Sequence, residues 1–137
     1  MEPGALADVA RRPPERRVHV LVVEDDERLR MLLVRHLGRS GFRVAEAASD
    51  EEAEAQLAGG LRPALVLLDL NLPGETGWAL LRSETLAAAG RPPVVITTAT
   101  AVSPKRLREL GVAGYLPKPF SLETLLATVE RFVGARL

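Results

Sequence analysis

Five polar side chains that could do chemistry stand at the ends of apolar segments of the sequence. Glu24 and Asp25 follow one such segment, Asp69 follows a second, Thr98 closes a third and Lys118 follows a fourth. Carboxylates gathered in one place repel one another, and a hard divalent cation such as Mg²⁺ relieves that repulsion. A lysine and a hydroxyl beside the cation favour an anion, for which phosphate is the natural candidate.

Each of these residues also has an ordinary structural role when it is considered alone. Acids after a strand commonly cap the next helix, and we predict that Asp26 does so. An aspartate at a strand end can form a turn, and a lysine is usually a solvated surface amine. The prediction of a site therefore depends on whether the fold brings the ends of these segments together.

The apolar pattern predicts five strands that alternate with five helices. The strands are expected at 18–23, 42–47, 64–68, 94–97 and 115–116. The helices are expected after Asp26, after Ser49, from about Trp78 to Gly90, after Ser103 and after Ser121. The positions expected to face the sheet are Leu29, Leu32, Leu33, His36 and Leu37, then Ala53 and Leu57, then Leu107 and Leu110, then Leu122, Leu125, Leu126, Val129, Phe132 and Val133.

Apolar strands between amphipathic helices indicate an α/β fold, a doubly wound (βα)5 sandwich whose parallel sheet has helices on both faces. Ligands of such sheets bind outside the carboxyl ends of the strands, where the five polar residues fall. Residues 1–17 have little apolar periodicity and contain three prolines. We predict a flexible N-terminal tail over 1–17 and a single domain over 18–137.

Composition excludes several classes of function. The 137 residues carry 18 basic and 18 acidic side chains and no cysteine. The balanced charge provides no electrostatic footprint for nucleic acid, and the missing cysteines exclude a disulfide scaffold and a thiolate metal site. The apolar run at 18–23 is too short to span a membrane, and the acids after it do not fit a signal peptide. We expect a cytoplasmic protein that binds neither nucleic acid nor a membrane.

The sequence resembles the receiver domain of two-component response regulators, the phospho-acceptor module of bacterial signalling. The resemblance rests on four segments, VHVLVVEDDERLR, LVLLDLNLPGETGWALL, PVVITTAT and GVAGYLPKPF. It extends from Val18 to Val133. It implies a single-domain, chemotaxis-regulator-like fold with a five-stranded sheet of order 2-1-3-4-5.

The resemblance assigns the acceptor and the metal ligands. Asp69 matches the aspartate that receives the phosphoryl group. Glu24, Asp25 and Asp69 match the acids that hold Mg²⁺, or Mn²⁺ in its place, and Asn71 matches the residue that adds a backbone carbonyl. Glu24 stands where aspartate is more common in the family, a change that should leave Mg²⁺ binding intact.

The resemblance also assigns the residues that respond to the phosphoryl group. Thr98 matches the switch hydroxyl, Ala99 the small residue beside it, Tyr115 the switch aromatic, Lys118 the phosphate-pairing lysine, and Pro119 the proline whose preceding bond is often cis. Asn71 and Thr100 are expected to flank the path of the attacking water and to tune the lifetime of the phosphorylated state.

The implied function is a phosphorylated switch rather than an enzyme that acts on a separate substrate. A histidine kinase or a phosphotransfer protein would phosphorylate Asp69 in a Mg²⁺-dependent reaction, and the modified domain would later dephosphorylate itself. Phosphorylation would change the surface formed by the fourth helix, the fifth strand and the fifth helix, which an unknown downstream protein reads. The protein would be a monomer or a phosphorylation-dependent dimer.

Two departures from the family pattern leave alternatives open. The stretch between Thr98 and Lys118 is about two residues short, and Trp78, expected to pack in the core, replaces an aliphatic residue. One alternative is therefore a receiver-like scaffold that acts by phosphorylation-independent protein contact. A further alternative, which does not depend on these departures, is an N-terminal fragment of a longer regulator. A metal-dependent hydrolase is disfavoured because Asn71 stands where such enzymes carry a second acid, and a flavodoxin-like cofactor binder is disfavoured because the first strand leads into acids.

Overall fold

The structure, a computed structural model, describes residues 14–70 and 76–135, with backbone alone at 76–78. Within these residues one parallel sheet has the strand order β2-β1-β3-β4-β5. The strands are β1 (Arg16–Val23), β2 (Val44–Ala47), β3 (Leu61–Asp69), β4 (Val94–Thr98) and β5 (Gly114–Pro117). The predicted α/β fold and the predicted strand order are confirmed.

Helices cover both faces of the sheet. They are α1 (Glu27–Arg39), α2 (Asp50–Ala58), α3 (Thr76–Leu81), α4 (Glu84–Ala88), α5 (Pro104–Leu110) and α6 (Leu122–Val133). Alternate residues of a strand point to opposite faces, so Leu21 of β1 packs with the side of the sheet that carries α2 to α5, whereas Val22 packs with α1 and α6. The two apolar cores hold the sheet between two helical layers.

The predicted third helix is two helices. Ser83 interrupts it because its side chain accepts a hydrogen bond from the Leu86 N–H at 3.1 Å and caps α4. The main chain there also turns, with the Ser83 N–H donating to the Leu80 carbonyl at 3.1 Å. The fourth and fifth helices of the sequence prediction are therefore α5 and α6.

The predicted Asp26 cap is confirmed, and three serines cap the helices that were expected to follow them. The side chains of Asp26, Ser49, Ser103 and Ser121 each accept a hydrogen bond from a backbone N–H in the first turn of their helix. Glu52 reaches back toward the start of α2, where its carboxylate accepts from the Ala48 N–H at 2.8 Å. These caps fix where α1, α2, α5 and α6 begin, and so fix the lengths of the loops at the carboxyl edge of the sheet.

Burial differs from the prediction at two helices. Leu32 is 48% exposed on α1 because Leu33 and Leu37 already fill the position against the sheet. Leu107 and Leu110 of α5 are only partly buried, and they contact the core from its edge. The shorter α5 therefore sits on the sheet with less apolar contact than α1.

β1 begins two residues earlier than predicted. The Arg16 N–H donates to the Gly60 carbonyl at 2.9 Å, and Arg16 and Arg17 stand in register with Leu61 and Arg62. The longer β3 supplies these partners, which the sequence prediction had placed outside the strand. Residues 1–13 of the predicted tail lie outside the described residues.

Candidate functional site

The carboxyl edge of the sheet collects the polar residues singled out from the sequence. Strand pairing brings Asp69 of β3 level with Thr97 of β4, and Thr98 level with Pro117 of β5. Glu24 follows β1, which pairs with β3 on its other side. The parallel topology therefore places residues that are distant in sequence at adjacent strand ends.

Three acids form one cluster at this edge. Carboxylate oxygens of Glu24, Asp25 and Asp69 all lie within 4.8 Å of one another. Glu24 and Asp69 are each 2% exposed, whereas Asp25 is exposed to solvent. Asn71, the fourth residue expected at the metal, lies outside the described residues. The cluster is thus open on the Asp25 side and closed by protein on the other.

Lys118 bridges the two buried acids. Its Nζ donates to Glu24 Oε1 at 2.6 Å and lies 3.3 Å from Asp69 Oδ2. The side chain is 19% exposed, and the backbone N–H of Lys118 donates to the Thr98 carbonyl at 2.9 Å. The Lys118–Pro119 peptide bond is cis. One ammonium group therefore faces two buried carboxylates.

Burial and charge shift the pKa values of this pair in a coupled way. Burial, assisted by Asp69 and opposed by the hydrogen bond from Lys118, raises the pKa of Glu24 to about 7. Burial lowers the pKa of Lys118, but the hydrogen bond that Lys118 donates to Glu24 and the charges of Glu24 and Asp69 outweigh that effect, so the pKa is raised. Three acids against one lysine leave excess negative charge, which suits a divalent cation.

The residues expected to respond to phosphate lie beside this cluster. Thr98 is buried, and its Oγ1 accepts a hydrogen bond from the Thr100 N–H at 3.1 Å. Ala99 and Thr100 are exposed in the loop after β4. The Tyr115 hydroxyl donates to the Thr100 carbonyl at 3.3 Å, so this aromatic side chain contacts that loop.

A groove of about 520 Å³ opens next to Thr98. Its lining includes Leu70 directly after β3, Val102 in the loop and Arg106 of α5. It lies between the strand end that carries Thr98 and the helix that carries Arg106. The space beside the predicted switch residue is therefore bounded by a loop and by a short helix.

Sequence reasoning missed Arg30. Its Nη1 donates to the Glu24 carbonyl at 2.8 Å, and its Nε lies 3.1 Å from Glu46 Oε1. The side chain is only 14% exposed. Arg30 stands three and seven residues before Leu33 and Leu37, which places it on the inward side of α1, and that helical spacing could have revealed it.

The fold and the acid–lysine cluster define a doubly wound α/β domain with an ionic site at the carboxyl edge of its sheet. A family model described as "Response regulator receiver domain" matches residues 20–130. The chain belongs to this family of receiver domains. The family fits the predicted resemblance, and its members act as switches in two-component signalling.

Two bacterial regulatory proteins are similar in sequence to most of this chain. Protein PetR of Rhodobacter capsulatus is 39% identical over 114 residues, which cover 82% of this chain and 47% of PetR. The transcriptional regulatory protein HprR of Escherichia coli is 38% identical over 113 residues, which cover 81% of this chain and 49% of HprR. The chain therefore spans about half the length of these curated relatives.

A solved structure of the Vibrio cholerae chemotaxis protein CheY4 has the same fold. Its TM-score is 0.74 at 30% identity, and the match covers 86% of this chain and 98% of that one. The fold is thus that of a chemotaxis-regulator-like receiver, as the sequence predicted.

Helices within the described parts of the chain are all too short or too polar to cross a membrane.

Proposed function

We propose that Asp69 accepts a phosphoryl group from a phosphohistidine of a histidine kinase or a phosphotransfer protein, in a reaction that depends on Mg²⁺. The observation that carries this proposal is the pairing of a buried Asp69 carboxylate with Lys118 inside a three-acid cluster. We place the reaction in the cytoplasm, and we infer that the chain acts by contact with other proteins.

The proposed transfer is an in-line displacement at phosphorus. An Asp69 carboxylate oxygen attacks the phosphorus, and the new P–O bond forms as the P–N bond to the donor imidazole breaks. The imidazole nitrogen leaves with the electron pair of that bond and takes up a proton. Hydrolysis later transfers the same phosphoryl group to water, which restores the Asp69 carboxylate. The domain itself carries the phosphoryl group between the two steps, and in this proposal it acts as a switch rather than as an enzyme.

The charges at the site fit a divalent cation. Glu24, Asp25 and Asp69 offer oxygen ligands of the kind that Mg²⁺ prefers, and Mn²⁺ accepts the same ligands. When bound, the cation would offset negative charge on the phosphoryl oxygens. Asn71 is proposed to add its backbone carbonyl, as the family resemblance implies.

Lys118 and Thr98 are proposed to hold the transferred group. Lys118 already contacts Asp69, so its ammonium is positioned to pair with a phosphoryl oxygen after transfer. Thr98 would exchange its bond with the Thr100 N–H for a bond from its own hydroxyl to the phosphate. Tyr115 would then turn inward past the small side chain of Ala99. These changes would reshape the surface of α5, β5 and α6 that an unidentified downstream protein reads.

The lifetime of the phosphorylated state is proposed to depend on Asn71 and Thr100, which flank the expected path of water. Substitution of each should change the rate of dephosphorylation, measured by mass spectrometry after the donor is removed. A rate unchanged in both variants contradicts this assignment. Size-exclusion chromatography with and without phosphorylation decides between a monomer and a phosphorylation-dependent dimer.

The test of the proposed function is intact mass after incubation with acetyl phosphate, with and without Mg²⁺. We expect one added phosphoryl group that requires Mg²⁺ and is absent in Asp69→Asn. Asp50→Asn is the matched control, because Asp50 is also a buried aspartate but stands in the first turn of α2, directly after the cap Ser49. This control should be phosphorylated like the wild type.

Two outcomes contradict the proposal. One is a phosphoryl group that persists in Asp69→Asn, and the other is phosphorylation that does not depend on a divalent cation. If the wild type shows no adduct, binding of beryllofluoride separates rapid self-dephosphorylation from a scaffold that acts without phosphate. A complex that forms in the wild type and is lost in Asp69→Asn indicates the former.

A further inference from the structure

Arg30 joins three segments that meet behind the acid cluster. It extends from α1, donates to the Glu24 carbonyl at 2.8 Å and pairs with Glu46 of β2 at 3.1 Å. The carbonyl of Glu46 in turn accepts from Gln56 of α2 at 2.7 Å. The guanidinium therefore sits in a hydrogen-bonded chain that links α1, β1, β2 and α2.

The carbonyl that Arg30 holds belongs to the residue at which the chain leaves β1. The Glu24 N–H donates to the Ala47 carbonyl at 3.0 Å, and Glu24 Oε2 accepts from the Asp26 N–H at 3.2 Å. With the Arg30 bond, both backbone polar groups of Glu24 and its carboxylate are fixed by partners. The peptide that connects Glu24 to Asp25 is therefore held in one orientation, and both acids diverge from it.

Charge and position make opposite predictions for Arg30. A positive group beside an acidic site repels a cation, so loss of that charge alone should tighten binding of Mg²⁺. Loss of a group that orients ligands should weaken it, because supporting hydrogen bonds around a metal site commonly contribute about 10- to 100-fold in affinity. The sign of the change in affinity thus separates the two roles.

We infer that Arg30 is a positioning residue for the metal site: its bond to the Glu24 carbonyl holds Glu24 and Asp25 in the orientation that binds Mg²⁺. This inference rests on the proposed function, since it assumes that the acid cluster binds the cation. The contacts of Arg30 are with the Glu24 carbonyl and the Glu46 carboxylate. Its effect should therefore appear in the affinity for Mg²⁺ and not in the rate at saturating Mg²⁺.

The experiment measures the Kd for Mg²⁺ by isothermal titration calorimetry in four variants. Arg30→Gln should raise the Kd about tenfold. Arg30→Lys, which keeps the charge and one donor, should recover part of that loss. Arg35→Gln removes the same charge from an exposed position of the same helix, and it should leave the Kd equal to or below that of the wild type. Glu46→Gln removes the ion pair, spares the bond to Glu24 and should stay within about twofold.

The rate of phosphorylation by acetyl phosphate is then measured against Mg²⁺ concentration. Arg30→Gln should need more Mg²⁺ for half-maximal rate and should reach a maximal rate within about twofold of the wild type. A tighter or unchanged Kd in Arg30→Gln overturns the inference, as does an equal loss in Arg35→Gln. Thermal unfolding confirms that each variant is folded at the temperature used.

The Kd for Mg²⁺ and the phosphorylation of the wild type together distinguish a failure of the Arg30 inference from a failure of the proposed function. If the wild type binds Mg²⁺ but is never phosphorylated, the proposed function fails while the change in Kd still tests Arg30. If phosphorylation occurs and the Kd does not respond to Arg30→Gln, the inference fails alone. A wild type that binds no Mg²⁺ overturns both.

Discussion

Two strand-to-helix connections contribute to the same candidate site and are built in different ways: residues 24–26, which we call the β1–α1 corner, and residues 98–103, which we call the β4–α5 corner. After β1, the chain enters the 13-residue α1, which is capped by Asp26 and buries Leu33 and Leu37 against the sheet. After β4, it enters the seven-residue α5, which is capped by Ser103 and has no buried residue among those described. Both helices are capped, so the difference lies in the apolar contact behind them.

Because of this difference in apolar contact, we expect the two connections to have different roles in the site. The β1–α1 corner carries Glu24 and Asp25. The hydrogen bond from Arg30 to the Glu24 carbonyl helps to hold this loop in place. The β4–α5 corner carries Thr98 and is joined to Tyr115 by one long hydrogen bond at an exposed position. Segments with few buried apolar contacts open at low free-energy cost. We expect the first corner to hold the cation in place and the second to move.

The largest expected effect, on the free energy of unfolding, comes from truncating the apolar side chains by which α1 and α5 pack on the sheet. Leu33→Ala removes a fully buried side chain and should lower the free energy of unfolding by about 3 kcal/mol. Leu107→Ala removes a half-buried side chain of α5 and should cost about 1 kcal/mol. Urea denaturation measures both. Equal losses would contradict the contrast between the two corners.

Loss of the bridging ammonium should have the next largest effect, on chemistry rather than on stability. Lys118→Met should slow phosphorylation of Asp69 about 100-fold at saturating Mg²⁺, because a charged donor to the phosphoryl oxygens is lost. Lys105→Met is the matched control, since Lys105 is an exposed lysine of α5. The rate from mass spectrometry should be unchanged in that control, and a slowing of similar size there would refute the role of Lys118.

The affinity for Mg²⁺ should depend on pH through Glu24. Burial raises the pKa of Glu24 to about 7, and a cation must compete with the proton below that value. The Kd should be about tenfold higher at pH 6 than at pH 8. Calorimetry of Glu24→Gln at both values tests the assignment, because that variant should lose most of the dependence.

The same shift sets the sign of the stability change in the protein without Mg²⁺. The pKa of Glu24 in the folded state lies above its ordinary value of 4.5, so protonation favours folding. The contribution of Glu24 to stability is therefore present below pH 4.5 and is lost as the pH rises through about 7. Thermal unfolding of Glu24→Gln against the wild type across this window should isolate that contribution, and an opposite slope would contradict it.

The smallest expected effect belongs to the contact between the movable corner and β5. Tyr115→Phe removes the hydrogen bond to the Thr100 carbonyl and should change the free energy of unfolding by less than about 1 kcal/mol. The rate of phosphorylation should stay the same, because Tyr115 contacts the loop and not the acids. A large loss of either would show that this corner is as firmly held as the β1–α1 corner.

Sequence reasoning reached the fold because local and global signals agree in this chain. Apolar strands alternate with amphipathic helices, and serine or aspartate caps mark where helices begin. It failed at the third helix, where Ser83 was read as interior although a serine inside a helical pattern can equally cap a new helix. It also ended the tail two residues late, since the pairing of Arg16 with Leu61 depends on a strand far along the chain.

By itself, the sequence determined the residue types at the strand ends and the alternation that sends them to one edge of a parallel sheet. Only the tertiary structure decided which of them touch. The 2.6 Å bond from Lys118 to Glu24 joins residues 94 positions apart. Helical spacing can place Arg30 on the inward side of α1, but its bond to the Glu24 carbonyl depends on the angle at which α1 packs, which local spacing does not encode.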